Sequence, residues 1–382
     1  MLCLLLLLTI PCSVALNCKS SHHDSWCTCT DLDGDLLKIV CTGEYGLPKL
    51  IPDNTAELHI TDSNITNLTA NFLNKEMPKL KVLNLTGNEL MYIDPSAFNH
   101  KDFKVVEQLI LDNNKLVLSG RKLISSLNRL KILSMKNAFF SGAYASRIGT
   151  ALRHSHTSLL ESIILDDNDL SGGLDVTTFN FSLYGKESKT SITTISLRNT
   201  SLILFFGGTL NVTHLPNLVF VDLSRNKLQT ISQDIIDDLE NFINLTVDFT
   251  GNPFVCNCHL YDFVTWLNES NFVSIVNKEE YLCSNDSLKK IFGRKLVDLN
   301  PKEDLKGKCE DTEEKISTSY IALSIVFGIV GLLAMIILYL RRGECIGFFQ
   351  RMFDGAHETL SDKGGYTDMD NPYLPDTPAV DV

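Results

Sequence analysis

The 382-residue sequence holds 11 cysteines, yet none lies between residues 41 and 256. Whatever folds across that stretch is held without covalent staples. Catalytic signatures are missing too. There is no G-x-S-x-G, H-E-x-x-H, Walker A or kinase-like motif, and the acidic residues do not form a paired-carboxylate pocket, so the sequence reads as a non-enzyme with no cofactor. Basic charge is scarce. Lys and Arg number 34 against 46 Asp and Glu, a net charge of −12 that argues against a nucleic-acid partner. Residues 341–382 carry 4 basic and 8 acidic side chains, so −4 of this lies at the C-terminal end and −8 before it.

What is present is a repeat. Leu218–Leu228 reads LVFVDLSRNKL, which is L-x-x-L-x-L-x-x-N-x-L with Leu218, Val221, Leu223, Asn226 and Leu228 on the fixed positions. Its centre alternates apolar and polar residues, the pattern of a short strand with one buried face. Asn226 then turns the chain, and its amide can bond the backbone of neighbouring turns. The template recurs at Leu80–Leu90, Val106–Leu116 and Leu160–Leu170 with Asn in place, and at Leu130–Phe140 and Ile192–Leu202 with Ala138 and Thr200 at the Asn position. Looser copies begin at Thr55 and Asn244. Eight starts, at 55, 80, 106, 130, 160, 192, 218 and 244, are spaced by 25, 26, 24, 30, 32, 26 and 26 residues. That matches a leucine-rich-repeat period. One unit cannot bury its own apolar face, so the copies must stack. The expected fold is an α/β leucine-rich-repeat solenoid, or horseshoe.

A stack ends in two exposed apolar faces that need caps, and small caps need cross-links. The cysteines sit where caps belong: Cys18, Cys27, Cys29 and Cys41 before the repeats, Cys256, Cys258, Cys283 and Cys309 after them. Each set of four admits three pairings, and spacing does not choose among them. An alternating pattern would join Cys18 to Cys29 and Cys27 to Cys41, then Cys256 to Cys283 and Cys258 to Cys309. Cys256-x-Cys258-His259 also has the look of a zinc or copper site, but a secretory route favours oxidised pairs.

The secretory route is written at both ends. Met1–Ala15 is an apolar run closing on Ser13-Val14-Ala15, a small-x-small cleavage site; Cys3 and Cys12 leave with it. Tyr320–Leu340 is 21 residues without a charge. At helical rise it spans roughly 31 Å, enough for a bilayer. Tyr320 and Tyr339 stand at its edges and Arg341-Arg342 follow, which places the C-terminus in the cytosol. Asn-x-Ser/Thr sequons at Asn64, Asn67, Asn84, Asn180, Asn199, Asn211, Asn244, Asn268 and Asn285 fit a glycosylated ectodomain. The chain thus divides into a signal peptide (1–15), an N-terminal cap (16–54), repeats (55–254), a C-terminal cap (255–310), a linker (311–319), a membrane helix (320–340) and a disordered cytoplasmic tail (341–382). It reads as a single-pass type I plasma-membrane protein.

Candidate interaction features follow. Residues flanking the strand leucines include Glu57, Asp62, Glu107, Asp112, Glu161, Asp166, Asp167 and Asp222, expected to form an acidic concave face broken by Lys131, Lys136 and Arg198. Such a face would attract a basic partner. Two repeats are lengthened within Ser141–Ser158 and Ser171–Thr190, and such insertions map to loops, often beside a binding surface. His154 and His156 in the first lack further ligands for a metal. In the tail, Cys345 is placed for palmitoylation, Tyr366–Met369 has the form Y-x-x-M, and Val380-Asp381-Val382 has the apolar carboxyl end that PDZ domains take.

Beyond the general pattern, Cys256–Leu267 (CNCHLYDFVTWL) resembles the C-terminal cap of the trophoblast glycoprotein family, oncofetal leucine-rich-repeat membrane glycoproteins. So do Thr318-Ser-Tyr-Ile321 entering the span, Leu338-Tyr-Leu340 leaving it, and the Asp381-Val382 terminus. The chain departs from that family at Val380, where the family has Ser, and across residues 364–378. The resemblance implies a surface protein that dampens β-catenin-dependent Wnt signalling at the co-receptor, with effects on adhesion and migration. The alternative is an adhesion or neuronal-type repeat receptor acting by trans contacts. A Toll-type receptor is disfavoured, because 42 residues after the span are too few for a folded signalling domain.

Overall fold

The structure, a computed structural model, describes Cys18 and residues 23–305 except 71, 74–76, 99–100, 119–122, 125, 141–147, 149–150, 152–158, 181–189 and 271, together with helical positions 327, 329–333 and 336. It comprises two units, Met1–Cys309 and Glu310–Val382. Of the second, only those helical positions are described; their side chains are exposed. Among the described residues no helix is long and apolar enough to cross a membrane. The predicted span 320–340 lies largely outside them. The predicted signal peptide (1–15), Cys309 and residues 341–382 with Cys345 and Val380–Val382 lie outside them altogether.

The first unit is one long sheet with a turn of chain behind each strand. Strands β1 (Cys27–Asp31) and β2 (Leu37–Thr42) form an antiparallel hairpin, and β2 then pairs in parallel with β3 (Thr55–Thr61). A short β4 (Asn67–Leu68) leads to β5 (Val82–Asn84), β6 (Tyr92–Ile93) and β7 (Gln108–Ile110). Next come β8 (Ile132–Ser134), β9 (Ser162–Ile164), β10 (Thr194–Ser196), β11 (Phe220–Asp222), β12 (Thr246–Asp248) and β13 (Ser274–Ile275). The main sheet has 11 strands, and β4 with β6 makes a second sheet of two. Each of the eight repeat starts supplies one strand of the main sheet.

The register explains why the period is tolerated so strictly. Leu58, Leu83, Leu109, Leu133, Ile163, Ile195, Val221 and Val247 are direct neighbours across successive strands, and each is 0% exposed. Each buried aliphatic side chain contributes about 1.5–3 kcal/mol, and each does so only because a neighbouring repeat covers it.

The asparagines make a second column. Asn168 Nδ2 donates to Met135 O and Leu165 O, both at 2.7 Å, while its Oδ1 accepts from the N–H groups of Ala138 and Phe139. Asn88, Asn114, Asn226 and Asn252 bridge neighbouring turns in the same manner. Thr200, standing in for Asn, turns its hydroxyl to Leu197 O, and Asn226 of the next repeat accepts from its N–H.

Among the described residues of the 24–26-residue repeats, helix is scarce. The repeats hold α1 (Gln233–Glu240) and the 3-10 stretch Lys101–Val105, and among the other described residues Ile148 and Ala151 are helical and Leu159 is in a 3-10 turn. The physical reason is length. After an 11-residue template, a period of 24–26 leaves little chain to cross behind the sheet and return. Packing there is aromatic instead: Phe72, Phe98 and Phe103 contact one another with ring centroids 5.4–5.9 Å apart.

The ends are closed as a stack requires. Cys18 is bonded to Cys29, Cys27 to Cys41, and Cys256 to Cys283. Cys258 is disulfide-bonded as well, so neither cysteine of Cys256-x-Cys258 is a free thiolate for a metal. Behind the last repeat, α2 (Tyr261–Glu269) lays Phe263 against Phe249 and Phe254 at 5.7 and 4.9 Å. Tyr281 locks the cap: its hydroxyl donates to Val276 O and accepts from Phe249 N–H, and burial pushes its pKa well above the ordinary phenol range.

Candidate functional site

Because side chains alternate along a strand, residues either side of each buried leucine share the open face of the sheet. One row runs Glu57, Val82, Gln108, Ile132, Ser162, Thr194, Phe220, Thr246; the other runs His59, Asn84, Ile110, Ser134, Ile164, Ser196, Asp222, Asp248. The middle of this face is apolar and neutral, with half-buried Val82, Ile110, Ile132, Ile164 and Phe220 among small hydroxyl residues.

The nominated charges frame that strip, and most are engaged by the repeats themselves. Glu107 pairs with Lys131 at 3.0 Å, which raises the lysine's pKa, and Lys136 lies 3.7 Å from Asp166. Asp112 Oδ1 accepts from Ser134 Oγ and Lys136 N–H of the next repeat; Asp166 Oδ1 accepts from Ser196 Oγ and Arg198 N–H of the repeat after it. These two aspartates are staples between repeats. Asp167 accepts from Asn199 Nδ2 at the turn. Glu161 and the Arg198 guanidinium are exposed, without an ion pair among the described residues. Asp222 and Asp248 are neighbours across β11 and β12, and each accepts a backbone N–H within its own turn. The expected acidic face is therefore self-compensated across its centre and carries adjacent carboxylates toward its C-terminal end.

At the other end Glu57 lies 3.0 Å from Lys38 and 3.4 Å from His59, whose Nδ1 is 3.2 Å from Asn84 Nδ2. Burial holds the His59 pKa below the usual imidazole value, outweighing Glu57's support. Burial alone would raise Glu57, but hydrogen bonds from Lys38 and His59 lower it.

No group of His, Cys, Asp and Glu suited to a metal occurs among the described residues, and His154 and His156 lie outside them.

The family model for the leucine-rich repeat matches residues 53–116. Trophoblast glycoprotein of Macaca fascicularis is 27% identical over 320 residues, covering 81% of this chain and 67% of the relative. The chain is a divergent relative of trophoblast glycoprotein. The Mus musculus protein is 32% identical over 154 residues, covering 40% of this chain and 34% of that one. Among solved structures, human 5T4 (Wnt-activated inhibitory factor 1, trophoblast glycoprotein) superposes with a TM-score of 0.60 at 23% identity, covering 75% of this chain and all of that one. At that identity the superposition establishes the fold.

The sequons of this trophoblast glycoprotein relative are spread unevenly over the unit. Asn64, Asn67, Asn199, Asn244, Asn268 and Asn285 are exposed; Asn84, Asn180 and Asn211 are half-buried. Asn84 alone projects from a strand of the open face, and its Oδ1 accepts from both the N–H and the hydroxyl of Thr86. Sequence reasoning missed the apolar strip. The signal was there, since Ile110, Ile132, Ile164 and Phe220 stand at outward positions of the template, where polar residues are the rule.

Proposed function

We propose that the protein is a single-pass type I cell-surface glycoprotein that receives a protein partner on the open face of its sheet and restrains β-catenin-dependent Wnt signalling at the co-receptor level. The observation that carries the reading is the strip Val82, Ile110, Ile132, Ile164 and Phe220 inside a frame in which Glu107 pairs with Lys131 and Asp166 with Lys136, while Glu161 and Arg198 stay exposed. A partner laid there buries apolar area beside two charge pairs that are already made, and can meet the exposed Glu161 and Arg198 with complementary groups, the arrangement of an interface centre with a polar rim. Asp222 and Asp248 add an electrostatic preference for a basic residue at one end. The name Wnt-activated inhibitory factor 1, borne by the human structure, supports the choice of pathway. Signal peptide, span and sequons support surface placement, and the reading includes occupied glycans at the nine sequons, Cys345 as a palmitoylated cysteine and Val380-Asp381-Val382 as a PDZ ligand.

The test is a β-catenin reporter in Wnt-treated cells, with and without the protein at the surface. Suppression that disappears when residues 16–310 are replaced by an unrelated ectodomain is the expected result. An unchanged reporter at verified surface expression refutes the Wnt reading and moves the function to adhesion through trans contacts.

A further inference from the structure

A second surface stands apart from the sheet face. Beyond the C-terminal ends of β9 and β10, Val176, Ile203, Leu204 and Phe206 are each 47–55% exposed, a run of large apolar side chains in water. They are contiguous. Leu174 bridges Phe205 in parallel, Phe206 N–H donates to Leu174 O, and a methyl placed on Gly173 or Gly208 would meet Leu204 or Val176 at 3.4 and 3.1 Å. Beside them Ile203, Leu204, Phe205, Leu228 and Ile235 line a groove of about 280 Å³, room for one large apolar side chain.

The rim of this ridge is acidic. Asp175 adjoins Val176, and Asp169 caps the turn at Ser171. Asp234 and Asp238 of α1 accept the N–H groups of Gly207 and Gly208, directly after Phe206. Among the described residues, Lys227 is the cation acting on Asp169. Exposed apolar area of this kind marks a contact site, and its charge selects the occupant. A second copy placed face to face would oppose two acidic rims, and an anionic bilayer would be repelled in the same way.

We propose that this ridge docks a basic amphipathic segment of a protein partner, with an apolar anchor in the groove below Ile203–Leu204 and flanking Lys or Arg side chains against Asp169, Asp175, Asp234 and Asp238. Gly173, Leu174 and Val176, at the start of the lengthened repeat, supply one wall of it. The site is separate from the strip on the sheet face and does not depend on the Wnt reading.

The test uses the purified full chain and fluorescein-labelled helical peptides of about five turns. One presents Leu on one face and Lys on the other; its counterparts carry Glu for Lys, or Ser for Leu. Fluorescence anisotropy should show binding of the Leu/Lys peptide alone, weakening as salt is raised. Leu204→Asp with Phe206→Asp, both exposed and so compatible with folding, should weaken it about tenfold or more. Asp234→Asn with Asp238→Asn retains both backbone acceptors and removes the charge; it should weaken binding by roughly severalfold and flatten the salt dependence. Melting curves matching the parent verify that the variants are folded. Equal affinity for the Lys and Glu peptides, or binding untouched by the Leu204/Phe206 variant, overturns the proposal. So does a dimer of the full chain that the same variant dissociates, which would assign the ridge to a second copy.

Discussion

Asn168→Ala removes five hydrogen bonds from the interior of the stack at once, the longest of them from Nδ2 to Asp166 O at 3.3 Å. Two N–H donors, Ala138 and Phe139, lose their acceptor, and two carbonyls, Met135 and Leu165, lose the donor that the structure gives them. The site is 3% exposed, so water does not replace the amide. An unsatisfied buried donor costs about 1–3 kcal/mol, so the two donors alone give roughly 2–6 kcal/mol. Asn226→Ala provides an internal scale. It also strands two donors, Thr200 and Leu202, but its carbonyls have other partners: Leu197 O receives the Thr200 hydroxyl and Leu223 O receives Asn252 Nδ2. The loss at Asn168 must therefore exceed the loss at Asn226. Chemical denaturation of the full chain, read by circular dichroism, measures both. At about 3 kcal/mol the accompanying fall in Tm is roughly 6–12 °C for a unit of this size. A loss below about 1 kcal/mol at Asn168 would refute the reasoning. So would a larger loss at Asn226.

Three other outcomes are expected. Replacing Cys256 and Cys283 by Ser opens a loop of sequence separation 27 and should lower stability by about 3–4 kcal/mol, seen as a lower denaturant midpoint than the parent's. Phe98→Ala hollows the three-ring contact behind the early repeats, where Phe98 is 1% exposed, and should cost about 3–5 kcal/mol by the same assay. Acid should destabilise the N-terminal end. His59 holds its proton less tightly folded than unfolded, so the unfolded chain takes up more protons as pH falls through about 6.5 and stability drops there. Glu57, with a lowered pKa, adds a second loss further below. His59→Gln should flatten the first part of the pH–stability curve, just below about pH 6.5, and leave the second.

Much of the fold was legible because leucine-rich repeats write their geometry into period and residue type. Each of the starts from Thr55 to Asn244 became a strand, and Asn226 does bond the neighbouring turns. The cap positions followed from two cysteine clusters, while their pairing required the register of β1 against β2, which brings Cys27 opposite Cys41. The charge of the face was harder. Glu107, Asp112 and Asp166 read as a row of acids along the sequence, but stacking sets each beside Lys131, Ser134 or Ser196 of the next repeat, and compensation across repeats has no mark within a single one. The ridge at Ile203–Phe206 was hidden for a related reason. Apolar residues just past the template look like core until the bridge between Leu174 and Phe205 shows which of them the neighbouring repeat covers.

The central claim is that the sheet face receives the partner. Ile132 stands in the middle of it, and Ile132→Asn completes an N-glycosylation sequon with Leu133 and Ser134, setting a glycan on the strip without touching the core. Ile132→Gln is the control, with the side chain changed and no glycan added. The measurement is β-catenin reporter suppression by the two variants at matched surface expression, with occupancy of the new sequon verified by a glycosidase-sensitive shift in gel mobility. Suppression lost with the glycan and retained with Gln is the predicted result. Full suppression by a protein whose new sequon is occupied would contradict the account, because a glycan at that position covers the apolar strip.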